Sequence, residues 1–267
     1  MTWHVLGASV TGTSHLRAGR GCDDAHLARI TNNNTLLLAV ADGAGSASQS
    51  ARGAAAAVRA AIEKAEATLT KQRELEQPEQ WQNLLKDLLQ AAHLAIQNLL
   101  QTEPANNGQG PQEYVSQQES DRLSLRDFAT TLLITIITRQ WIAIAQVGDG
   151  IAVAHYDDGT VASLYARPPQ HYINETDFIT DPAYLSNAVY YIKPRAGLRG
   201  IALLTDGLEL LATTYPEHTA HPAFFLPFFK FATSSDATEE ELRKFLGSER
   251  VNNRTDDDKT LLLAVFS

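Results

Sequence analysis

Three times in this chain an apolar run ends in Asp-Gly: LLLAVADG at Asp42, IAIAQVGDG at Asp149 and IALLTDGL at Asp206. Each run has the length of a strand, and the first, Thr35 to Ala41, is continuous enough to be buried on both faces. A carboxylate at the end of a buried strand is costly unless something pairs with it. Any one Asp-Gly reads first as an ordinary turn. Three of them are harder to dismiss, because two acid groups also precede apolar strands: Asp23-Asp24 before AHLARI, and Asp256 to Asp258 before KTLLLAVFS. If these strand ends converge, the carboxylates repel one another unless cations bind. Hard divalent ions such as Mg2+ or Mn2+ prefer such oxygen ligands. Glycine after the aspartate allows a tight turn and exposes its carbonyl as a further ligand.

The intervening sequence predicts a layered α+β chain rather than a regular βαβ alternation. WHVLGASV and AHLARI read as short strands. After Asp42, SASQ predicts a capping box with Ser46 at the N-cap and Gln49 reaching back, opening a long alanine-rich helix. Pro78 ends that helix, and a second one follows with Trp81, Leu84, Leu85, Leu88, Leu89, Ala92 and Ile96 on one face. Residues 102–121 are polar and aperiodic, which predicts a mobile insertion. Strands resume at FATTLLITIIT and WIAIAQVGD, then IAVAHYDDGTVASLY turns at Asp158-Gly159. Residues 166–187 are irregular, and AVYYIKP and GIALLTDG are strand-like. PAFFLPFFKFA and TEEELRKFLG predict helices, the first interrupted by Pro227.

A chain of 267 residues with net charge −9 is long enough for a sizeable core and ill-suited to non-specific binding of nucleic acid or an anionic membrane. Neither is expected as a partner. Cys22 is the sole cysteine, so no internal disulfide forms, which fits the cytoplasm. MTWHVLGASVTGTSH lacks the pattern of a signal peptide, and no apolar run approaches a membrane span.

The ordered series CDDAH, VADGAG, FATTLL, QVGDG, LLTDGL and DDDKT runs from about Ser9 to Val265. It resembles the motifs of the type 2C metal-dependent protein phosphatases (the PPM family), and SVTGTSH and HYINETDF are similar to its bacterial branch. The resemblance implies a four-layer αββα sandwich, two central antiparallel β-sheets flanked by helix pairs, as a single domain over 1–267 with a flap around 166–188. It implies that Asp42 bridges two metal ions, that the Gly43 carbonyl binds one of them, and that Asp206 and Asp257 are further ligands. Asp149 corresponds to a third, weaker site, and Asp23 and Asp24 to acids acting through metal-bound water. Asp256 and Asp258 are then solvated or support the ligands from behind. The implied activity is that of a protein serine/threonine phosphatase: water bridging two Mg2+ or Mn2+ ions about 4 Å apart attacks a phosphomonoester in line with its leaving oxygen. The expected partners are phosphoproteins marked by a bacterial Ser/Thr kinase, met in trans by a monomer in the cytoplasm.

Three departures stand beside the resemblance. Relatives often carry His after the Asp-Gly pair, as a general acid; here the position is Ala44, and His15 and His26 nearby read as surface or packing residues. The usual phosphate-binding arginine falls at Gly19, leaving Arg20, favoured over Arg17, to offer its guanidinium fork. The flap region is short, with Asn174, Glu175 and Thr176 at its centre, and is expected to help select substrate. Cys22 is not needed as a nucleophile. Two other readings remain open: an inactive phosphatase fold used as a binding module, and a phosphohydrolase of small molecules.

Overall fold

The computed structural model describes residues 2–71, 75–102, 123–164, 176–214 and 218–266. The expected insertion at 102–121 lies, Thr102 apart, outside the described residues, as do Asn174 and Glu175 of the expected flap.

Two five-stranded sheets, antiparallel at every pairing, form the centre. The first orders β1 (Trp3–Val10), β12 (Lys259–Phe266), β9 (Leu198–Leu204), β6 (Ile151–Tyr156) and β7 (Val161–Ser163). The second orders β2 (Ala25–Ile30), β3 (Leu36–Ala41), β4 (Leu132–Ile137), β5 (Trp141–Val147) and β8 (Val189–Pro194). A small hairpin joins β10 (Thr213–Thr214) to β11 (Thr219–Ala220).

The period of two in the strands produces the layers. In β3, Leu37, Ala39 and Ala41 face the long helices α2 (Ser50–Lys71) and α3 (Pro78–Thr102), whereas Leu36, Leu38 and Val40 face the other sheet. In β12, Leu262 and Ala264 meet the opposite sheet, and Leu261, Leu263 and Val265 face a second helical layer. That layer holds α5 (Glu209–Ala212), α6 (Pro222–Phe231), α7 (Glu239–Leu246) and α8 (Glu249–Asn252). The result is the expected αββα sandwich. Continuous apolar runs arise because both faces of each sheet are covered. The predicted apolar face of α3, from Trp81 to Ile96, is the buried one. Alanines on α2 (Ala54, Ala57, Ala61 and Ala65) let that helix lie close to the sheet. Among the described residues no helix is long and apolar enough to cross a membrane.

Two expectations are corrected. Ser46 is not a helix N-cap: it is exposed, and α2 begins at Ser50. The intervening residues are held elsewhere, since Ala44 N donates to Ala129 O at 2.9 Å and Gln49 N to Asp127 O at 2.7 Å. The Gln49 carbonyl instead accepts the first helical amides, from Arg52 and Gly53. Pro227 does not interrupt α6, which runs unbroken through it. A proline costs the helix the donor to the carbonyl four residues back; here both Pro227 and Ala223 are exposed, so water can serve that carbonyl. Unforeseen are four helices of four or five residues: α1 (Thr13–Arg17), α4 (Tyr184–Asn187) within the region expected to form a flap, α5 and α8.

Strand register collects the acids at one end. Ala41 pairs with Ala25, so Asp42 leaves β3 where Asp24 enters β2. Leu204 pairs with both Leu261 and Ile151, which brings together Asp206, the acids before β12 and Asp149. Leu132 pairs with Val147, placing Thr131 beside the turn that carries Asp149.

Candidate metal centre

Asp42 is fixed through its backbone. Its N–H donates to Thr131 Oγ1 at 2.9 Å. Its carbonyl accepts from Thr131 N and from Thr130 Oγ1, both at 2.8 Å. With Ala44 N on Ala129 O, these bonds tie the segment to its neighbour without using the Gly43 carbonyl. A side chain at Gly43 would lie 2.7 Å from Asp23 O and 2.8 Å from Ser50 Cβ, so only glycine fits. Gly148, just before Asp149, has φ of +100° and presses against the Thr131 side chain, which again demands glycine.

Carboxylate oxygens of Asp42, Asp149 and Asp206 all lie within 4.8 Å of one another. Burial, then the charges of Asp24 and Asp206, push the Asp42 carboxyl well above the usual range. Burial also raises Asp206, to about 6. Asp206 Oδ1 is buried and has no protein hydrogen-bond partner. An all-oxygen cluster that resists ionisation, with an unsatisfied buried oxygen in it, is what a hard divalent cation relieves. These residues therefore fit a metal ion. Asp149 is itself buried and accepts from Thr176 Oγ1 at 2.9 Å.

The other predicted residues surround this group. Asp24 is buried, and its Oδ2 accepts from Thr205 Oγ1 and Thr260 Oγ1, each at 2.8 Å. Burial lifts its carboxyl to about 7, although both hydroxyls favour the charged form. Asp24 Oδ1 is buried with no partner. Asp257 is exposed and falls outside the 4.8 Å group, but its charge raises Asp206. Its Oδ1 accepts from Asp258 N at 2.8 Å. Asp256 is exposed, whereas Asp258 is buried and accepts from Gly12 N at 2.6 Å, from Asp23 N at 2.5 Å and from the His15 ring at 3.0 Å. Those bonds occupy its oxygens, so His15, Asp23 and Asp258 act as a brace between the chain's two ends.

Arg20 spans two segments of the site. Its Nη1 donates to Gly45 O at 2.8 Å and its Nη2 to Asp23 Oδ2, which also accepts from Ser50 Oγ at 2.8 Å. Arg17 is exposed. His26 Nδ1 is 2.8 Å from Ser9 Oγ, which in turn lies 2.7 Å from Thr260 Oγ1. Burial first, then the charges of Asp24 and Asp258, push the Cys22 thiol far up, in keeping with a residue not needed as a nucleophile.

Sequence reasoning did not assign the hydroxyls of Thr130, Thr131, Thr205 and Thr260, nor Lys259. A signal was present: each threonine lies within a quoted motif, in FATTLL, LLTDGL and DDDKT. A hydroxyl next to a strand-end acid can hold the acid or its backbone.

A sandwich with an oxygen-ligand cluster at one end of its sheets fits a metal-binding protein, and comparison with known proteins makes the class specific. Residues 11–247 match the family model described as Protein phosphatase 2C. The chain is 32% identical to Serine/threonine-protein phosphatase 3 of Escherichia coli (strain K12), with all of both chains covered. Among solved structures, serine/threonine phosphatase Stp1 from Staphylococcus aureus superposes with a TM-score of 0.62 at 16% identity, covering 100% of this chain and 96% of that one. The catalytic domain of the phosphatase PstP, solved with 2 manganese ions, gives 0.60 at 16% identity, covering 98% and 97%. These two likenesses bear on the fold alone. The chain belongs to the protein phosphatase 2C family, and it is a metal-dependent protein serine/threonine phosphatase.

Proposed function

We propose that Asp42, the Gly43 carbonyl, Asp206 and Asp257 hold two divalent cations, Mn2+ or Mg2+, with Asp149 serving a third. Asp23 and Asp24 act on them through water. The observation that supports a metal here is the convergence of Asp42, Asp149 and Asp206 within 4.8 Å, with Asp206 Oδ1 buried and without a protein partner. Asp257 lies outside that group, and its place as a ligand and the second ion rest on the family motif. When bound, such ions neutralise charge on the phosphoryl oxygens and acidify water.

The chain's own groups do the positioning. Thr130 and Thr131 hold the Asp42 backbone, and Thr205 and Thr260 orient Asp24. Arg20, steadied by Gly45 O and Asp23, turns its remaining N–H groups toward the phosphate. The methyl side chain of Ala44 has no ionisable proton, so the leaving oxygen takes its proton from water rather than from a side chain at that position. Thr176, on Asp149, ties the flap region to the acid cluster, in keeping with a flap that helps select substrate. The phosphate removed sits on serine or threonine of a protein marked by a bacterial kinase, and the reaction runs in the cytoplasm, where nucleotide-dependent kinases act.

The test compares phosphoserine and phosphothreonine peptides with small phosphoesters, with Mn2+ and with Mg2+. Peptides are expected to turn over faster. Asp42→Ala is expected to abolish turnover and, by calorimetry, tight Mn2+ binding. No turnover with either ion would leave a binding module, and preference for the small esters would move the substrate class.

A further inference from the structure

The helical layer over the first sheet contains a cleft of about 660 Å3 among α5, α6, α7 and α8. None of its lining residues belongs to the metal centre. Its wall is aromatic and already assembled: Phe224 and Phe245 stand 5.1 and 5.0 Å, centroid to centroid, from Phe228 between them. Leu210, at the edge, is 65% exposed and carries the apolar lining out to the surface.

The charges around the cleft are uneven. Arg250 and Arg254 line it, both exposed, and neither has an acid partner among the described residues. The acid on the lining, Glu241, is taken by Lys244 at 2.7 Å. In a chain of net charge −9, two unpaired guanidinium groups beside an apolar cavity are a local reversal of sign. The volume lies within the range of small-molecule sites, which are apolar with a few polar anchors.

We propose that this cleft binds an amphipathic carboxylate, with its apolar body against Phe224, Phe228 and Phe245 and its carboxylate on Arg250 and Arg254. A neutral apolar ligand would leave the two guanidinium groups unused. A small inorganic anion would leave the aromatic wall in water. Guanidinium forks match the planar, two-oxygen geometry of a carboxylate.

The experiment is calorimetric titration of the full chain with decanoate below its micelle-forming concentration, with decanol as the neutral match. Decanoate is expected to bind saturably at one site per chain, with decanol about tenfold weaker. Arg250→Ala with Arg254→Ala should bring decanoate to the decanol level. Ala223→Trp, on the exposed side of the cleft, should block both. Both arginines are exposed and outside the metal centre, so their replacement leaves the fold and basal phosphatase activity as readouts of integrity even if the tryptophan variant misfolds. Absence of saturable decanoate binding, or binding equal to that of decanol and indifferent to the arginine pair, overturns the proposal.

Discussion

The ammonium of Lys259 donates to the backbone carbonyl of Asp257 at 3.1 Å, on a side chain wholly shielded from solvent. Its second bond, at 3.0 Å, goes to Asn252 Oδ1 on α8. One buried cation thus braces the acidic turn against the second helical layer. Burial lowers its pKa, while Asp258 and Asp257 act in the opposite direction. Replacing a whole buried ion pair by apolar groups can be neutral, whereas removing one partner leaves the other charge uncompensated. Here the neighbours are acids, so removing the charge also exposes their mutual repulsion.

Lys259→Met is therefore expected to lower stability by about 2 kcal/mol, since it also strands two acceptors. Asn252→Ala keeps the bond to Asp257 and should cost about half as much. Urea unfolding of the metal-free variants measures both. A Lys259→Met protein as stable as the parent would mean that desolvation cancels the two bonds.

Thr130 and Thr131 hold opposite sides of the Asp42 peptide, and their effects should differ. Thr131→Val keeps the branched shape but leaves Asp42 N–H without its acceptor. Groups that orient a metal ligand typically affect metal affinity, so Mn2+ binding should weaken about tenfold. Thr130→Val removes only one of two donors to the Asp42 carbonyl, which keeps Thr131 N. Its effect on calorimetric Mn2+ affinity should be clearly smaller. Equal effects would show that the clamp acts as a unit rather than through Asp42 N–H.

Arg20→Lys tests the guanidinium fork. A lysine can supply one charge but cannot hold Gly45 O and Asp23 while presenting further planar donors. KM for p-nitrophenyl phosphate should rise about tenfold, with a smaller fall in kcat. A fall in kcat alone would place Arg20 outside phosphate binding.

Much of this architecture was legible because it depends on local period. The run at β3 declared burial on both faces, and the stripe from Trp81 to Ile96 is the buried face of α3. The Asp-Gly strand ends pointed to an acid cluster because each acid follows or precedes an apolar run. What escaped depends on partners distant in sequence. Ser46 resembles a cap until Ala44 and Gln49 are seen bonded to Ala129 and Asp127. The threonine clamps read as ordinary strand residues until register sets Thr131 against Asp42. Short helices such as α1 and α4 are too brief to show a period. Lys259 looks like a solvated base until β12 is placed between β1 and β9.

The acid cluster also predicts how metal and pH act on stability. In the folded, metal-free chain Asp24 is raised to about 7 and Asp206 to about 6, from 3.8. Between the unfolded and folded values the folded state holds more protons than the unfolded state. Stability therefore falls as pH rises through that window, and the loss is complete above the folded values. Metal-free protein should melt several degrees lower at pH 8 than at pH 5. A cation that replaces those protons reverses the trend, so Mn2+ should raise Tm more at pH 8 than at pH 5. Asp206→Asn removes one of the repelling charges; its metal-free form should be the more stable at pH 8 and gain little from Mn2+. Calorimetric melting at the two pH values, with chelator and with Mn2+, measures all of these. A metal-free Tm that rises from pH 5 to pH 8 would show that the acids are not held together in solution as they are here.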